Sequence, residues 1–167
     1  EEYLMDWANR LGFGRKNYRE VLELAGEKGT YTHEKIDNFI KTGKIKNNDY
    51  IPKECTSAVN NAFSAFIKWW NIINTNNKVE IIMNESILIG PLFGGTVDLV
   101  IKINGKIYIV DFKTSNQPSF RYHLQLSAYE ILIEELYNIH VDGWIILMLN
   151  KKCPIFNEIL VKRPNDD

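Results

Sequence analysis

Two hydrophobic periods run through this chain and divide it into elements. From Thr56 to Ile73 the apolar residues Val59, Ala62, Phe63, Phe66, Ile67 and Trp70 recur at the spacing of an amphipathic helix. Three strand-like runs follow, Val79 to Ile89, Thr96 to Ile103 and Lys106 to Phe112. Residues 119 to 138 return to a helical period, with Leu124, Ala128, Ile131 and Leu132 assigned to one side. Trp144 to Leu149 is a continuous apolar run, the pattern of a strand buried on both faces, and Ile155 to Val161 reads as an edge strand.

The first third of the chain is more broken. Tyr3 to Leu11 and Arg15 to Ala25 read as short helices separated by Gly12-Phe-Gly14. Thr32 is placed as the N-cap of a further helix carrying His33, Ile36, Phe39 and Ile40. The polar, Asn/Lys-rich stretch from Lys41 to Pro52 is expected to be a mobile connection. Helix, three meandering strands, helix, strand is an α/β order with a mixed central sheet.

Chemistry enters at the hairpin. Asn104-Gly105 tolerates positive φ at both positions and favours a two-residue turn between the second and third strands. With Ile103 paired to Lys106, counting back sets Asp98 opposite Asp111 and Thr96 opposite Lys113. Alternation then puts Asp98, Asp111 and Lys113 on one face. Facing carboxylates sit about 5 Å apart at Cβ and repel one another. A buried strand holds such a pair only with a partner, and a hard divalent cation acting on a phosphate supplies one. The bland alternative is two exposed charges near a turn, and the apolar neighbours Leu99, Ile101, Ile109 and Val110 argue against it.

The ordered set Gly94-Gly-Thr-Val-Asp98, Val110-Asp111-Phe112-Lys113-Thr114-Ser115 and Gln125-Leu-Ser-Ala-Tyr129 resembles the PD-(D/E)xK nuclease superfamily, and within it the RecB-like and Cas4-like exonuclease branch. The resemblance implies a restriction-endonuclease-like core of αβββαβ order, with residues 1–55 a helical N-terminal region and 56–167 the nuclease core of one domain. It implies metal ligation by Asp98, Asp111 and the carbonyl of Phe112, joined by His33 and Glu80, and catalysis by Asp98, Asp111, Lys113 and Gln125. Glu85 lies five residues beyond Glu80, on the other face of a regular strand, so Glu80 is the one taken. Gln125 and Tyr129 share a helical face. Tyr129, Tyr122, Thr114 and Ser115 are implied as nucleic-acid contacts. The implied cofactor is Mg²⁺ or Mn²⁺; a nitrogen ligand from His33 suits Mn²⁺ better. Some RecB-like relatives hold an iron–sulfur cluster on four cysteines. With only Cys55 and Cys153 here, no such cluster is expected.

Composition narrows the rest. At 167 residues, 45 % hydrophobic and 25 % charged, the chain has the make-up of one globular domain. No run approaches the ~20 apolar residues of a membrane span, and without a signal-peptide pattern a cytoplasmic location is expected. The chain opens on Glu1-Glu2 rather than Met, as expected of a piece of something longer. A net charge of −1 gives no global pull on nucleic acid, so binding rests on local patches. Arg10, Arg15, Lys16, Lys41, Lys44, Lys46, Lys151 and Lys152 are the basic residues available to line a DNA path. The expected function is a metal-dependent deoxyribonuclease, acting on single-stranded DNA from an end, in repair, recombination or mobile-element processing, where a helicase or recombination protein is the natural partner. The rival is a non-catalytic nucleic-acid-binding module with a nuclease-like fold, against which the retention of Asp98, Asp111 and Lys113 speaks. A site-specific restriction enzyme would need recognition elements that this length barely accommodates.

Overall fold

The computed structural model describes residues 17–162 apart from Asn116; the helix expected from Tyr3 to Leu11 lies outside the described residues. Three helices, α1 (Tyr18–Thr42), α2 (Lys53–Asn76) and α3 (Phe120–Tyr137), surround five strands: β1 (Val79–Ile89), β2 (Gly94–Ile103), β3 (Lys106–Lys113), β4 (Gly143–Leu149) and β5 (Phe156–Lys162). The strands form one mixed sheet in the order β1-β2-β3-β4-β5. All neighbours are antiparallel except β3 and β4, which run parallel through the α3 crossover. This is the restriction-endonuclease-like α/β architecture expected. No helix among the described residues is long and apolar enough to cross a membrane.

The sheet is covered on both faces, which explains the strand patterns. One face packs Leu99, Ile101, Val110, Phe112, Ile145 and Leu147 against Phe63, Phe66 and Trp69 of α2 and Ile36 of α1. The other packs Val100, Ile109, Ile146 and Met148 against Leu126, Tyr129, Leu132 and Ile133 of α3. Strand β4 therefore buries odd residues on one side and even residues on the other, and must be apolar throughout.

Two expectations change in the helices. Thr32 does not cap a helix. It lies inside the 25-residue α1, fully buried, with its hydroxyl donating to Lys28 O at 2.7 Å. Asn17 caps α1 instead, accepting from Arg19 N, and Gly43 ends it at φ 66°. The helix expected to end at Ala25 and the one expected to start at Thr32 are one, running through Gly26 and Gly29. Gly29 allows close approach, since a Cβ there would lie 3.5 Å from Thr114 Oγ1 at the end of β3. In α3, Leu124 and Ile131 prove 58 % and 47 % exposed, and Leu126, Tyr129, Leu132 and Ile133 are the buried face. Apolar residues occur all round this helix, so period alone could not choose a side. Glycines on the sheet do: a Cβ on Gly95 would lie 2.8 Å from Tyr129 Cε1, and one on Gly90 would lie 2.5 Å from Leu132 Cδ2.

The connection from Gly43 to Pro52 is packed at its end. Ile51 is buried with Cys55 and Val59, and its N–H donates to Asn48 O at 2.9 Å.

Candidate active site at the irregular end of the hairpin

The β2–β3 hairpin has the register counted from Asn104-Gly105, running from Ile103 opposite Lys106 to Leu99 opposite Val110. There the ladder stops, one step short of Asp98. Instead of continuing the backbone pairing, Asp98 Oδ2 accepts the Phe112 N–H at 2.7 Å. The strand is irregular at this point. Leu99 joins the core under α2 whereas Val97 joins the core under α3, although alternation would put both on one side. Asp98 consequently turns towards α1, while Asp111 stays in β3, paired alongside Ile146 of β4.

Strand β1 carries the matching irregularity. A bulge between Ile81 and Met83 shifts its register against β2, and Glu85 adopts φ 42° between the pairs Asn84–Leu99 and Ser86–Val97. A bulge adds one residue and reverses which side chains face which side beyond it. The parity that favoured Glu80 over Glu85 is thereby undone. Glu80 is exposed and ion-paired to Lys78 at 2.9 Å, which lowers its pKa. Glu85 sits beside Asp98. The one hint in the sequence is the polar triplet Asn84-Glu85-Ser86, set between the apolar runs Ile81-Ile82-Met83 and Ile87-Leu88-Ile89.

His33 closes the group from α1. Its Nδ1 lies 3.3 Å from Asp98 Oδ1 and 3.7 Å from Glu85 Oε1. Its Nε2 bonds Phe112 O at 3.0 Å, and its ring meets the Phe112 ring edge-on. Burial alone would lower the imidazole pKa, but the nearby carboxylates of Asp98 and Glu85 outweigh it and raise it to about 10. Without a metal, His33 is therefore a cation holding two carboxylates. His33, Glu85 and Asp98 each offer a ligand atom, and these atoms all lie within 4.8 Å of one another.

The other half of the site hangs on β3 and α3. Asp111 is 2 % exposed. Its pKa is raised to about 6, first by burial and then by the charge of Asp98, against the pull of Lys113 and His33. Lys113 Nζ donates to Asp111 Oδ1 at 2.8 Å and to Gln125 Oε1 at 3.1 Å, and stands 4.9 Å from the centre of the Tyr122 ring. Gln125 Nε2 in turn donates to Tyr129 Oη at 2.9 Å. Ser115 Oγ and Tyr122 Oη are 2.8 Å apart. The polar stripe of α3 is thus turned to the site rather than to solvent. Thr114 sits against Gly29 of α1. The structure therefore gathers His33, Asp98, Asp111, Phe112, Lys113, Gln125, Tyr122, Tyr129, Thr114 and Ser115 at one end of the sheet, and leaves Glu80 outside.

The donor set fits a divalent cation. Asp111 Oδ2 and Glu85 Oε1 are buried oxygens without a hydrogen-bond partner, and such oxygens are costly unless a further ligand completes them. An open cleft of about 650 Å³, lined by Gly29, Thr30, His33, Glu85, Thr96 and Asp98 among others, reaches the Glu85 side of the group. No curated protein sequence matches the chain. The family model of the PD-(D/E)XK nuclease superfamily, whose members use divalent metals, matches residues 15–155. That span contains every site residue described above, and the chain belongs to this superfamily.

Proposed function

We propose that this chain is a RecB-like deoxyribonuclease that requires Mg²⁺ or Mn²⁺ and degrades single-stranded DNA from an end. The observation carrying the reading is the pair of buried carboxylate oxygens without a hydrogen-bond partner, on Glu85 and Asp111, close to the acid and histidine held by Phe112. His33, Glu85, Asp98 and Asp111, with the Phe112 carbonyl, are the groups that would hold the ion. A bound divalent ion supplies Lewis acidity towards a phosphoryl oxygen and lowers the pKa of water.

The chain's own residues do the rest. Lys113, anchored between Asp111 and Gln125, presents its remaining N–H to the phosphate or to water, where it offsets the charge developing on phosphorus oxygens. Gln125 positions that ammonium, and Tyr129, buried against Gly95, positions Gln125. Tyr122, stacked beside Lys113, offers its ring to the strand. The Tyr122 ring beside Lys113 and a chain of nearly neutral charge suit a single strand better than a long duplex.

The test is cleavage of end-labelled single- and double-stranded DNA with Mg²⁺, Mn²⁺ and EDTA, together with circular single-stranded DNA. Linear single strands should be shortened in either metal and untouched in EDTA. Circular DNA degraded as fast as linear would remove the end requirement, and binding without cleavage in every metal would leave a non-catalytic module.

A further inference from the structure

A row of side chains continues from Lys113 across the end of the sheet. Lys113 is paired with Met148 of β4, and Met148 with Asn157 of β5. All three stand on the α3 side: Lys113 bonds Gln125 of α3, Met148 packs in the core under α3, and Asn157 shares a face with Ile159, which packs there too. Neighbouring members of the row are one strand spacing apart, about 4.8 Å. Around Met148 and Asn157 lies a cavity of about 260 Å³, lined also by Ser115, Pro118, Asn150 and Ile155.

The cavity adjoins the candidate active site, and its polar groups are fixed. Ser115 Oγ is 2.8 Å from Tyr122 Oη, and the Tyr122 ring stands beside Lys113. Asn150 Oδ1 accepts from Lys152 N at 2.7 Å and from Cys153 N at 3.3 Å, while Asn150 N closes the turn onto Ile155 O at 3.1 Å. The carbonyl of that amide is committed. Its Nδ2, and the whole side-chain amide of exposed Asn157, bond nothing among the described residues. Met148, Pro118 and Ile155 supply apolar surface between them. Amides set in apolar walls suit the polar edge and the flat faces of a heteroaromatic ring.

We propose that this cavity receives one unpaired nucleobase of the substrate strand, from a nucleotide beside the reacting phosphate, with Asn150 Nδ2 and the Asn157 amide meeting its hydrogen-bonding edge. The volume lies just under the ~300 Å³ at which pockets for drug-sized ligands begin, which is room for a base and not for a base pair. A base held there has left its stack and its partner, so the cavity selects single strands by shape rather than by charge. The pocket rests on the nuclease reading proposed above and deepens it by laying the strand across the ends of β3, β4 and β5.

The experiment is cleavage of a labelled single-stranded oligonucleotide and of a series carrying one abasic residue at each position in turn, by the wild type, N157W and the control K106Q, whose lysine is at the turn end of the hairpin. For the wild type, kcat/KM should fall about tenfold when the abasic residue stands at one fixed register from the cleaved bond, and little at the others. N157W, which fills the cavity from an exposed strand position, should lose about tenfold on the ordinary strand and nothing further when the abasic residue is at that register. K106Q should behave as the wild type. A wild type that loses rate at no register, or equally at all of them, overturns the pocket while leaving the nuclease intact, as does an N157W loss that multiplies with the abasic loss. A wild type that cuts nothing overturns the nuclease reading instead, and anisotropy of an ordinary and a fully abasic oligonucleotide then decides: N157W weakening only the ordinary strand keeps the pocket, weakening both or neither removes it.

Discussion

Both main-chain polar groups of Phe112 are tied to the site: its N–H goes to Asp98 at 2.7 Å and its carbonyl to His33 at 3.0 Å. The middle residue of Asp-x-Lys is thus a splint. It aligns an acid of β2 and a histidine of α1 on the backbone between Asp111 and Lys113, while its ring anchors the same point in the core.

The electrostatics predict how metal-free stability varies with pH. Folding raises the His33 pKa from 6.5 to about 10, so its contribution is complete below pH 6.5 and disappears as pH rises through 10. Folding raises the Asp111 pKa from 3.8 to about 6, so the protonated acid is favoured and stability falls as pH rises across that interval. Both slopes have the same sign. In EDTA the melting temperature should fall by several degrees between pH 6.5 and 9.5, and H33Q should show a flatter profile. An identical profile in H33Q would remove the imidazolium from the account.

Metal should raise the melting temperature, because only the folded chain brings these ligands together. E85Q should lose most of the shift given by Mn²⁺, and E80Q should retain it. His33→Ala should weaken Mn²⁺ more than Mg²⁺. Thermal melts across a metal titration decide all three, and a larger loss in E80Q than in E85Q would contradict the placement of Glu85.

Asp111→Asn removes a buried charge that Asp98 opposes. The variant should be inactive, yet in EDTA above pH 7 it should be more stable than wild type by about 1–3 kcal/mol, a gain that shrinks as pH falls below about 6 and is lost below the ordinary carboxylate value of 3.8. Urea unfolding at the two ends of this range measures this; a variant destabilised at both would show that the Lys113 pair outweighs the repulsion.

Lys113→Ala should abolish cleavage while leaving the Mn²⁺ melting shift in place, since the ammonium is not a ligand. Loss of the shift in this variant would make Lys113 part of the metal site's framework.

Gly95→Ala should push on Tyr129, whose Cε1 would lie 2.8 Å from the new methyl. Overpacking of this kind costs about 1–3 kcal/mol. Displaced, Tyr129 releases Gln125 and through it Lys113, so cleavage should drop severalfold with metal binding preserved. Wild-type activity in G95A would separate Tyr129 from the positioning chain.

What the sequence revealed and what it hid divide along physical lines. Asn104-Gly105 states its own turn geometry, and the period-2 alternation carries the register from there to Leu99. The αβββαβ order, the doubly buried β4 and the Asp-x-Lys placement follow from patterns that local sequence expresses. Glu85 was hidden because a bulge at one residue reverses parity for everything beyond it, and nothing at Ile81, Ile82 or Met83 announces one. The length of α1 was hidden because Gly29 serves a contact with Thr114, 85 positions away in the chain, rather than a turn. The burial of Tyr129 depends on the absent side chain of Gly95, a fact that belongs to two elements at once.

The bond between His33 and Phe112 joins residues 79 positions apart, so the metal pocket exists only once the first described helix and the hairpin have found each other. A chain with a formed hairpin but an undocked α1 has the acids and the lysine without the histidine. On the proposed nuclease reading, cleavage waits on the docking of α1 against the hairpin, since the histidine reaches the acids only then.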